Sequence, residues 1–102
     1  MRIITLEEHL TTPSIVNALA VQGQARVFEA TLQVVLKDAK GAKLAEKTVT
    51  ASMGAPEWGD YSTTLPFSVT ARTEATLEAF ALSPKDGTPQ YTVSVPVVLL
   101  PN

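Results

Sequence analysis

Residues 28 to 37 alternate between apolar and polar side chains. The even positions read Phe28, Ala30, Leu32, Val34 and Leu36, and the odd ones Glu29, Thr31, Gln33, Val35 and Lys37, with Val35 the one apolar residue out of place. A period of two marks a strand with one face in a core and the other in solvent. Asp38-Ala39-Lys40-Gly41 comes next. An aspartate that can bond the backbone ahead of it and a glycine free to take positive φ make a short hairpin loop, so the chain reverses here. Residues 43–52 return as the partner, rich in Thr and mixed in parity, as suits an outer strand.

The same reading extends in both directions. Residues 2–10 carry Ile4, Leu6 and Leu10 on one parity with Arg2 and Glu8 alongside, the pattern of an edge strand blunted by charge. Thr11-Thr12-Pro13-Ser14 breaks it. Residues 15–21 resume with apolar side chains on both faces, and Gly23-Gln24 predicts a bulge or bend before the central strand. A helix over residues 14–20 capped by Ser14 competes there, although it is shorter than isolated helices tolerate. Residues 53–60 hold Gly54, Pro56 and Gly59 and read as a loop. Tyr61, Thr63, Leu65, Phe67 and Val69 then alternate, and Pro66, which has no amide proton, puts this strand at an edge or on a bulge.

Residues 74–82 suit a helix on propensity, with Leu77, Phe80 and Ala81 on one face. Leu77, Ala79 and Ala81 also fit period two, and the surrounding all-β pattern favours a strand. After a turn at residues 83–89, Tyr91, Val93, Val95, Val97 and Leu99 give the cleanest alternation in the chain; Pro96, on the other parity, fits only an outer strand or a bulge. About seven short strands punctuated by Gly and Pro predict an immunoglobulin-like two-sheet antiparallel β-sandwich, all-β, one domain over residues 1–102 and without a disulfide.

Composition narrows the function. Hydrophobic residues make up 45% and charged ones 18%, a globular mixture with no apolar run long enough to enter a membrane as a helix. The net charge is −2 and the eight basic residues are dispersed, so nucleic acid is not an expected partner. Cysteine is absent, which excludes thiol catalysis and thiolate metal sites. The first eight residues lack an apolar core and a cleavage site, so they do not read as a signal peptide; the chain is either cytoplasmic or has lost a leader.

Glu7 and His9 have the spacing of the first metal-binding strand of amidohydrolases. Those enzymes need a (β/α)₈ barrel of roughly 250 residues and further histidines, and His9 is the only histidine here. No metal, cofactor or catalytic residue is therefore expected, and neither a nucleophile elbow nor a phosphate loop is present. Trp58, the only tryptophan, stands in a loop beside Glu57 and shortly before Tyr61. Aromatics on loops serve as recognition anchors, but a lone Trp can equally plug the end of a small core. Glu29, read as the outward residue of the central strand, could meet a basic side chain on a neighbouring strand or a ligand.

Residues 25–30 (Ala-Arg-Val-Phe-Glu-Ala), the turn at residues 38–41, residues 51–58 (Ala-Ser-Met-Gly-Ala-Pro-Glu-Trp) and Ser83-Pro84-Lys85-Asp86-Gly87 together resemble the immunoglobulin-like domain of bacterial spore germination proteins. The resemblance implies an exported or lipid-anchored accessory domain, hence an extracytoplasmic setting in the envelope or spore, with no assigned catalysis. The expected function is a non-enzymatic interaction module that binds a protein or a cell-wall glycan through end loops, with Trp58, Glu57, Tyr61 and Glu29 as candidate contacts. The alternatives are a structural spacer that binds no ligand, or a small enzyme inhibitor; neighbouring domains or a weak homo-oligomer are the other partners expected. A Trp58 exposed beside a groove favours binding, and one buried against Phe28 and Phe67 favours the spacer.

Overall fold

The computed structural model describes residues 2–5 and 14–101, for residues 2–5 the backbone alone. The readings on residues 6–13, Glu7 and His9 among them, lie outside the described residues. The described strands are β1 (Arg2–Thr5), β2 (Ser14–Val16), β3 (Leu19–Ala25), β4 (Thr31–Asp38), β5 (Lys43–Thr50), β6 (Gly59–Leu65), β7 (Thr73–Leu82) and β8 (Pro89–Leu100). They form a three-stranded sheet in the order β1-β3-β6 and a five-stranded sheet in the order β2-β8-β7-β4-β5. Every pairing is antiparallel except that of β2 with β8.

The strand beyond the expected seven arises between residues 14 and 25. Ser14–Val16 joins the large sheet beside residues 98–100, and Leu19–Ala25 crosses to the small one, pairing along its whole length with β6. Asn17 stands at this crossing, and its Oδ1 accepts the Phe67 amide at 2.8 Å, fastening it to the chain leaving β6. The helical reading of residues 14–20 is thereby excluded. Gly23 is also no bend: it pairs in register with Tyr61, and the irregularity falls on β1, between Ile3 and Thr5.

One hydrophobic cluster is shared by both layers. Leu19, Val21 and Leu65 from the small sheet meet Leu32, Leu36 and Leu77 from the large one, all buried. Each such side chain stabilises the fold by roughly 1.5–3 kcal/mol. β3 and β7 alternate without a break; in β7 Ala75, Leu77, Ala79 and Ala81 are buried and the residues between them partly exposed. β7 lies between β4 and β8, so ladders on both sides settle it as a strand against its helical propensity. On its outer face Glu78 Oε1 meets Lys37 Nζ of β4 at 3.0 Å.

The turn between β4 and β5 forms as its residues dictate. Asp38 Oδ1 accepts the amides of Lys40 and Ala42, each at 2.9 Å, and Gly41 takes φ of 85. Pro66 and Pro96 also have the surroundings that a missing amide proton demands. Pro66 comes directly after the end of β6, an edge strand. Pro96 lies opposite Thr76 in the part of β8 that β2, paired only with residues 98–100, leaves uncovered.

Candidate functional site

Two breaks in strand geometry and one tethered loop build the site. After β3 the chain runs extended through Val27 and then makes a 3-10 turn at Phe28–Ala30, where Glu29 and Ala30 take φ of 56 and 59. Residues with a Cβ enter this left-handed region at a cost of roughly 1–2 kcal/mol each. Local bonds offset it: the Ala30 amide donates to the Val27 carbonyl at 3.1 Å, and the Ala30 carbonyl accepts the Ala51 amide at 2.7 Å. Alternation predicts Phe28 in the core and Glu29 on the outer face of a strand. The turn removes both from the sheet, leaving Phe28 61% exposed and Glu29 out in solvent.

Residues 51–58 are laid against this turn. The Ala55 amide donates to the Val27 carbonyl at 2.9 Å, the Glu57 amide to the Gly54 carbonyl at 3.0 Å, and the Ser52 amide to the Asp60 carbonyl at 2.8 Å. Two glycines make the approach close enough. A Cβ on Gly54 would stand 2.9 Å from the Ala30 nitrogen, and one on Gly59 would collide with the Met53 backbone. This fixes the loop that carries Trp58, which is 42% exposed.

The second break is in β8. Ala79 pairs with Val93 but Ala81 pairs with Gln90, so β8 carries one extra residue against β7 at this point. Tyr91, with φ of 57, is turned outward by the bulge and is 63% exposed, where alternation predicts it inward. Beyond the bulge the expected parity returns, and Val97 and Leu99 are buried.

Phe28, Trp58 and Tyr91 stand around two adjoining hollows that share part of their lining and are taken together as one groove. Trp58 and Pro56 flank a hollow of about 530 Å³, and Phe28 and Leu82 flank one of about 390 Å³. Arg26, Ala55 and Tyr91 line both. Of the residues named from sequence, Trp58 alone lines it. Glu57 is exposed on the same loop but outside the lining, and Glu29 stands apart in its turn. Tyr61 leaves the surface set: its side chain is buried in β6, and burial pushes its hydroxyl from 10.0 up to about 12. Sequence reasoning missed Arg26, Phe28 and Tyr91. For Tyr91 a signal existed, since it comes straight after the turn at residues 83–89; nothing in the sequence marks Phe28.

Among the described residues no three or more His, Cys, Asp or Glu side chains gather where they could hold a metal, and no helix is long and apolar enough to cross a membrane. Two facing sheets around one core, with loops collected at the ends, define an immunoglobulin-like sandwich. The chain belongs to the family described as the immunoglobulin-like domain of bacterial spore germination, whose model matches residues 10–88. The match includes Arg26, Phe28 and Trp58 and stops before Tyr91. No curated protein and no solved structure matches the chain.

Proposed function

We propose that the chain is a non-catalytic interaction module that works outside the cytoplasm, in the envelope or spore, and holds a protein or a cell-wall glycan in the groove between Phe28, Trp58 and Tyr91. The observation that carries this reading is the exposure of all three aromatics around one concave surface, with Arg26 in its lining. A spacer needs no such surface, and the burial of Trp58 against Phe28 and Phe67 that would favour one is not found, Trp58 being 42% exposed. The backbone points the same way. Among the described residues the non-glycine ones at positive φ, Glu29, Ala30 and Tyr91, stand at or beside the aromatics of the groove, and conformations of this kind persist where surrounding structure holds them, often at ligand sites.

Trp58 is the only tryptophan, so its emission reports on the groove directly. Soluble peptidoglycan fragments and a peptide array supply the two ligand classes. Wild-type chain is expected to bind members of at least one class with a change in Trp58 emission, and the Phe28→Ser, Tyr91→Ser double variant to lose that binding while keeping its far-ultraviolet dichroism. Binding that survives in the double variant, or a flat response to both classes, overturns the reading.

A further inference from the structure

The charges around the groove narrow the occupant. The whole chain is net negative, ten acidic residues against eight basic. Yet the charged residues lining the groove are Arg26 and Lys85, with no carboxylate among the lining of either hollow. Elsewhere on the surface Lys37 pairs with Glu78, Lys43 with Glu46, and Arg72 with Glu74, all within 4 Å. Among the described residues neither Arg26 nor Lys85 has such a partner. Three carboxylates adjoin lining residues in sequence: Asp86 accepts the Thr88 hydroxyl at 2.7 Å and the Thr88 amide at 3.1 Å, while Glu57, between Pro56 and Trp58, and Glu29, beside Phe28, are exposed and outside the lining. The lining itself thus holds two cations and no carboxylate, on a molecule whose net charge is negative.

The rest of the lining separates a peptide from a sugar. A glycan presents hydroxyls along its length and needs convergent donors and acceptors to replace its water. Here the walls are Phe28, Leu82, Pro56 and Pro84 with the rings of Trp58 and Tyr91, and the neutral polar side chains are only Ser83 and Gln90. Ser83 is buried, and its Oγ already accepts the Lys85 amide at 3.2 Å. Apolar side chains fill such walls without leaving polar groups unpaired.

We propose that the groove takes an extended peptide segment of a partner protein in which a carboxylate side chain is flanked by two apolar or aromatic ones. The flanking side chains occupy the hollows on either side of Tyr91, and the carboxylate meets Arg26, which borders both, with Lys85 adding to the field. A guanidinium can bind a carboxylate through two parallel hydrogen bonds, which makes Arg26 the orienting contact and Lys85 the lesser one. This rests on the groove being the binding surface; it adds the chemistry of what enters.

The test uses the whole chain and three blocked peptides of one length, with phenylalanine at alternate positions and glutamate, glutamine or lysine between. Trp58 emission and calorimetry follow binding, with soluble peptidoglycan fragments run in parallel and sedimentation recording self-association. The glutamate peptide is expected to bind at least tenfold more tightly than the glutamine one, and the lysine peptide weakest. Arg26→Gln should cut the glutamate peptide's affinity by about tenfold, bringing it level with the glutamine peptide, while Arg26→Glu should reverse the order. Far-ultraviolet dichroism confirms that the Arg26 variants fold. Equal binding of all three peptides overturns the acidic preference and leaves the groove reading standing. A response to peptidoglycan fragments with none to the peptides makes a glycan the occupant and overturns the proposal alone. A dimer that the Trp58→Ala variant abolishes makes a second copy the occupant and overturns it as well. A flat response throughout overturns both readings.

Discussion

Gly59 has no room for a side chain, because a Cβ there runs into the backbone of Met53 on the loop that carries Trp58. Gly59→Ala should therefore destabilise the fold by about 1–3 kcal/mol and shift Trp58 emission, both readable in one urea titration. Gly41 makes the opposite case. Nothing lies within 4 Å of its missing Cβ, and only its φ of 85 resists substitution, so Gly41→Ala should cost about 1 kcal/mol and leave Trp58 emission unchanged. Tyr61 sets a pH limit. Its folded-state pKa is raised from 10.0 to about 12 by burial, so its contribution is complete below pH 10 and is lost as pH climbs toward 12. Urea midpoints of wild type should fall across that window more steeply than those of Tyr61→Phe; parallel curves would refute the assignment. Asp86 works in the other direction. The Thr88 hydroxyl and amide hold its carboxyl below the usual range, so the turn is supported above the unfolded pKa and loosens as acid protonates it, which chemical-shift titration of the Thr88 amide would record.

Among the elements, β7 is the hardest to read from sequence and the most deeply placed. A run such as Glu74 to Leu82 satisfies both periods, and only pairing with β4 and β8 decides between them. Leu77→Ala, which empties a fully buried site at the centre of the large sheet, should cost about 2–5 kcal/mol. Glu78→Ala, on the outer face of the same strand and partly exposed with Lys37, should cost less than about 1 kcal/mol; thermal unfolding of the two variants separates the roles. Hairpins, edges and inward faces were legible because turn chemistry and alternation are local. Alternation failed at Phe28 and at Tyr91, and for one physical reason. A left-handed turn or an extra residue breaks the alternation between inward and outward side chains, and neither is written in hydropathy. These are also the points where an aromatic is delivered to the groove. Thus Trp58, on a recognisable loop, could be named in advance, while Phe28 could not and Tyr91 had only the turn before it as a signal.

At the scale of the molecule, one core joins both sheets, so urea unfolding tracked by Trp58 emission and by far-ultraviolet dichroism should give coincident transitions. The edges are defended. Lys47 of the outer strand β5 reaches across to the Thr64 carbonyl at 2.8 Å, placing a cation where another sheet would have to dock. Lys47→Val should raise self-association in sedimentation at high concentration while leaving the far-ultraviolet dichroism unchanged. The groove, for its part, is assembled from residues 26–28, 55–58, 81–85 and 90–91, stretches that meet only once every strand is in register. No excised fragment can carry the whole groove, and a protease cut in any of these stretches removes the covalent tie that holds part of its wall in place. Conversely, a relative that rewrites only the β3–β4, β5–β6 and β7–β8 connections and the strand ends beside them would present a different groove while the sheets beneath keep their sequence.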